Sequence, residues 1–62
     1  MDEFTMRSRV RRVVLQLETT IKRLQQDVEN GTYSSALSEA RIAKPQLIDL
    51  TVLLELLSDG QP

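Results

Sequence analysis

The chain has no cysteine, no histidine and no tryptophan in its 62 residues. Without cysteine there is no disulfide framework, and without cysteine or histidine no thiolate or imidazole zinc site. A nucleophile activated by histidine is also excluded. Phe4 and Tyr33 are the only aromatic residues, too few for a base-stacking platform. Glycine and proline are equally scarce: only Gly31 and Pro45 interrupt the body of the chain, with Gly60 and Pro62 at its end. No apolar run reaches the roughly 20 residues that span a bilayer, because Asp49 and Glu55 break the longest one. The opening Met-Asp-Glu lacks a basic stretch followed by an apolar core, so no secretory signal is expected. At this length a single domain, residues 1–62, is expected. It hides only about 60% of its unfolded surface and is marginal alone. With disulfides and metals excluded, association is the remaining source of stability.

What the chain does have is seven-residue periodicity. Val10, Val14, Leu17, Ile21, Leu24 and Val28 alternate spacings of four and three, and so do Tyr33, Ala36, Ala40, Ala43, Leu47, Leu50, Leu54 and Leu57. Each set is expected to form one apolar seam on one helix, and the two seams to face each other. The predicted fold is therefore all-α: an antiparallel hairpin of two long helices, over about 3–29 and about 34–58. A turn over about 30–33 joins them, and 59–62 form a frayed tail.

Local signals agree. Asp2 is placed to cap the first helix, and Glu3 suits the positive end of its dipole. Asn30-Gly31 is a helix stop, since glycine takes the left-handed conformation without strain. Thr32, Ser34 and Ser35 offer oxygens to cap the second helix, and a connection this short makes the helices antiparallel neighbours. Pro45 removes one backbone donor and crowds the carbonyl of Arg41, at a cost near ~3 kcal/mol. The second helix is expected to be kinked or broken there. The heptad stays in phase across Pro45, with Ala43 and Leu47 both on the expected seam, which favours a kinked continuous helix.

One feature does not fit a self-sufficient hairpin. Ile48, Val52 and Leu56 form an i, i+4, i+8 stripe away from the expected seam, extended by Leu53. Two helices cannot bury both faces of one of them. Such a stripe has the spacing of a helix that docks in a partner's groove. Burying three such side chains contributes on the order of 5–8 kcal/mol before ordering costs. Self-association as a homodimer is the plainer use of the same surface. A membrane-surface helix is disfavoured because this helix is acidic.

The net charge is −1, but it is divided. Residues 1–25 hold six basic residues against three acidic ones, and residues 26–62 hold two against six. Opposite halves suit antiparallel packing. Arg7, Arg9, Arg11 and Arg12 supply electrostatic contacts and could meet phosphates. They are spread around the helix with no aromatic between them, which disfavours nucleic acid. Asp49 and Glu55 lie too far round the helix to pair as catalytic carboxylates, and a two-helix hairpin is expected to lack a useful cleft. No catalytic residue, metal ligand or cofactor is assigned.

The stretch Gln16-Leu17-Glu18, then Lys22, Leu24, Gln26-Asp27 and Gly31, followed by Glu39-Ala40-Arg41 and an aliphatic helix to Leu57, resembles the small co-chaperone subunit of type III secretion needle proteins, the YscE-type family. The resemblance covers nearly the whole chain. It implies an antiparallel helical hairpin in the bacterial cytoplasm that binds a larger helical-repeat chaperone. Together the pair would keep a needle subunit unpolymerised until export. The partner-binding residues expected from helical geometry are Ile48, Val52, Leu53 and Leu56. The alternative is a homodimeric hairpin regulating nucleic acid through its N-terminal arginines.

Overall fold

A computed structural model describes residues 2–59. It contains two α-helices, α1 over Glu3–Asn30 and α2 over Tyr33–Asp59. They pack side by side as the expected all-α hairpin, 46 Å long and 16 by 14 Å across. The expected frayed tail lies, from Gly60 onward, outside the described residues.

Capping chemistry defines both ends of α1. The carboxylate of Asp2 accepts from the Thr5 amide at 2.7 Å, and Asp2 itself is extended (φ −77°, ψ 161°). At the other end Gly31 is left-handed with φ 75°. The Gly31 amide donates to the Val28 carbonyl at 3.2 Å, and the Thr32 amide donates to the Asp27 carbonyl at 2.9 Å. These two bonds make a complete Schellman closure, which glycine permits because it has no Cβ to strain. Thr32 then starts the next helix, its carbonyl accepting from the Ala36 amide at 3.0 Å. Asp27 ties the turn together, since Thr32 Oγ1 donates to its Oδ1 at 3.3 Å and Ser35 Oγ to its Oδ2 at 2.9 Å. Only Gly31 and Thr32 separate the helices, a tighter turn than the spacing predicted.

α2 runs through Pro45 without a break. Proline has no amide hydrogen, so the Arg41 carbonyl loses its intrahelical donor. Both residues are exposed on the side of α2 away from α1, where water can take that donor's place.

The seam itself is one heptad position away from the expected one. On α1 the more buried residues are Met6, Val10, Val13, Leu17, Thr20, Leu24 and Asp27, with Val14 at their edge. On α2 they are Ala36, Glu39, Ala43, Gln46, Leu50, Leu53 and Leu57. Ile21, Val28, Tyr33, Ala40, Leu47 and Leu54, expected inside, are exposed. The physical reason is the width of the apolar arc. On α1 it covers three neighbouring heptad positions, whereas a two-helix seam uses two, so either pair is geometrically available. The hairpin uses the pair that includes polar groups. Thr20 is 3% exposed, and its Oγ1 lies 3.0 Å from both Gln46 Oε1 and the Gln16 carbonyl. The one hydroxyl hydrogen serves these two acceptors in competition, and the contact with Gln46 ties α1 to α2 at the middle of the hairpin. Satisfied polar pairs inside an apolar seam penalise sliding, because a slipped register strands both partners.

Candidate protein-docking surface

Of the four partner-contact residues expected on α2, three lie on its outside and one does not. Ile48, Val52 and Leu56 are 55%, 50% and 56% exposed. Leu53 is 8% exposed and faces α1. It belongs to the hairpin seam, in heptad phase with Gln46 and Glu39, and is not part of the docking stripe. The seam's displacement by one position is what carries Leu53 inward.

The same displacement opens a second apolar surface that the spacing alone concealed. An open groove of about 380 Å³ runs along one side of the hairpin, lined by Val14, Leu17, Glu18, Ile21, Lys22, Gln25 and Leu50. A two-helix hairpin was expected to offer no cleft, and this one is a surface valley between helices. Val14, Ile21 and Val28 share one heptad position on α1, beside the seam. Tyr33, Ala40, Leu47 and Leu54 share one on α2, also beside the seam. Leu50 lines the groove together with Val14 and Ile21, so the two rows flank the seam on the same side of the molecule. The opposite flank carries Arg9, Gln16, Arg23 and Asn30 on α1 and Ser35, Ile42, Asp49 and Leu56 on α2. One face of the hairpin is apolar and the other largely polar. The second half of α2 is apolar almost all the way round, the pattern of a helix covered on more than one side.

The four arginines occupy four different heptad positions near the start of α1, and all are exposed. Arg7 pairs with Glu3 at 3.6 Å, both side chains largely in solvent. They do not converge into one patch. Near them the Asp2 carboxyl is held below the usual aspartate range by the hydrogen bond from the Thr5 amide, and next by the Thr5 hydroxyl. That shift belongs to the helix cap.

Among the described residues, one buried side-chain atom is left unpaired. Glu39 Oε2 has no exposed surface and no hydrogen-bond partner. Sequence spacing placed Glu39 outside the seam; its i+7 relation to Gln46 and Leu53 is the signal that would have found it.

Among the described residues, no helix is long and apolar enough to cross a membrane. The arrangement is that of a helical hairpin whose apolar surface exceeds what its two helices can cover. Comparison with known proteins finds no matching family model, no similar curated protein and no similar solved structure.

Proposed function

We propose that this chain is a non-catalytic protein-binding subunit that docks on a larger partner through the Ile48–Val52–Leu56 stripe of α2. The observation that carries this reading is the exposure of all three side chains on the folded hairpin. Each leaves about half of its area available to a partner, at the spacing by which a helix occupies a groove. Large aliphatic residues in such a stripe gain from burial roughly in proportion to the apolar area removed from water.

The specific form of the proposal follows the resemblance to YscE-type co-chaperones. In it the partner is a larger helical-repeat chaperone in the bacterial cytoplasm, and the complex keeps a type III secretion needle subunit unpolymerised. What supports it in the hairpin is its antiparallel shape and its exposed apolar surface. The experiment is affinity capture of the full chain from its native cell with mass spectrometry of what co-purifies. Recovery of a helical-repeat chaperone together with a small needle-like subunit is the expected result. Recovery of neither, in cells that express both, would overturn the co-chaperone reading.

A further inference from the structure

We propose that a second copy of this chain covers the apolar face, seated antiparallel so that two hairpins form a four-helix bundle. The face in question is the groove side, not the Ile48–Val52–Leu56 stripe, so this inference stands apart from the docking proposal.

Three observations point to a second copy. The first is what the hairpin leaves out. Its seam accepts Thr20, Asp27, Glu39 and Gln46, while Ile21, Leu47 and Leu54 stay in solvent. A helix that serves one seam needs a narrow stripe; a helix in a four-helix bundle meets two neighbours and needs a wider arc. Both helices have the wider arc.

The second is area. A folded monomer of 7.1 kDa is expected to expose about 4,100 Å², whereas this chain exposes 4998 Å². The surplus is close to the roughly 800 Å² that one partner contributes to a standard interface.

The third is self-complementarity. The Thr20–Gln46 bond puts Ile21 and Leu47 at about the same level along the hairpin. A twofold axis crossing the hairpin at that level sets Ile21 on Ile21 of the second copy and Leu47 on its counterpart. It also sets Val14 against Val28 and Ala40 against Leu54, so small meets large on α2. At the outer rim of α1 the same axis brings Arg11 towards Glu29 of the second copy, and Glu18 towards its Lys22. Each of these two pairings occurs twice and joins opposite charges, against a single like-charge approach of Lys22 to its own counterpart beside the axis. On α2, Lys44 meets Thr51, with no like charge opposed. Opposite charges at the flanks of paired helices set partner and orientation.

Sedimentation equilibrium on the full chain tests this. At micromolar concentrations the expected mass is twice 7.1 kDa; a 7.1 kDa species persisting to millimolar concentrations would overturn the proposal. Ile21→Asp is expected to give the single-chain mass. A dimer that survives Ile21→Asp but is lost in Val52→Asp would place the interface on the stripe and overturn it. The antiparallel seat has its own test, independent of whether a separated hairpin keeps its helices. Glu18→Lys alone and Lys22→Glu alone should each dimerise more weakly than wild type. Their mixture should form a heterodimer about tenfold tighter than either homodimer at low salt, with the preference fading as salt is added. No heterodimer preference would overturn the antiparallel arrangement.

Discussion

Truncating Leu53 to alanine separates the seam of the hairpin from its outer stripe. Leu53 is 8% exposed, so Leu53→Ala removes buried methyl groups and leaves a space that two helices only partly close. Buried leucine-to-alanine changes cost about 2–5 kcal/mol, depending on how well the site collapses. A hairpin open at its sides relaxes easily, which places this change near the lower end, about 2–3 kcal/mol. Leu56 is the control: it is 56% exposed, so Leu56→Ala should cost less than about 1 kcal/mol. A 62-residue chain has roughly 3–9 kcal/mol of total stability, so the loss at Leu53 is a large fraction of it. Urea unfolding followed by far-ultraviolet circular dichroism reads the difference. With a slope of about 1 kcal/mol per molar urea, the Leu53→Ala midpoint should fall by about 2 M or more, and that of Leu56→Ala by less than about 1 M. Chain concentration is held constant, because association would otherwise move both midpoints. Equal midpoints for the two variants would refute the placement of the seam.

Three other outcomes follow from named groups. Thr20→Val strands the Gln46 amide and should cost about 1–3 kcal/mol, while adding Gln46→Leu should restore most of it; an unrecovered double mutant in the same urea assay would deny the bond its role. Glu39→Leu removes a carboxylate oxygen that has no partner and should raise stability by about 1–2 kcal/mol, read as an upward shift of the thermal midpoint. A fall in that midpoint would show that Glu39 holds a favourable contact. The Asp2 pKa is lowered in the fold by the Thr5 amide, so its cap is complete above the unfolded aspartate value of 3.8 and is lost as pH falls through the lower folded value. Thr5 amide hydrogen-exchange protection, compared with that of mid-helix amides, should decline in that acid range and be pH-independent there in Asp2→Asn.

The hairpin was legible because helix stops are local. Asp2 and Gly31 each act through atoms within a few residues of themselves, and their chemistry can be read without knowing the tertiary partner, whereas the Thr32 hydroxyl, expected to cap α2, donates to Asp27 instead. Continuity through Pro45 was legible from the apolar pattern, since Ala43 and Leu50 lie on the seam on either side of it, although Leu47, expected there too, is exposed. The phase of the seam was not. Val10, Leu17 and Leu24 sit at the centre of a wide arc, and apolar content alone favours pairing them with Ile21 and Val28 over Thr20 and Asp27. The structure makes the other choice and sets Thr20 Oγ1 3.0 Å from Gln46 Oε1 across the helices, a tertiary relation that spacing does not reveal. Leu53 was misplaced by this same step. Ile48, Val52 and Leu56 remain outside with either phase, which is why the stripe survives the shift.

The most direct measurement of the central claim, that an exposed apolar stripe of α2 binds a partner protein, is parallel affinity capture with three baits. Wild type, Val52→Asp and Ile21→Asp are compared after circular dichroism has established that each is helical. Ile21→Asp should retain the helical-repeat partner and Val52→Asp should lose it. Capture of the same partner by Val52→Asp at wild-type yield would contradict the account and leave the stripe without the role assigned to it.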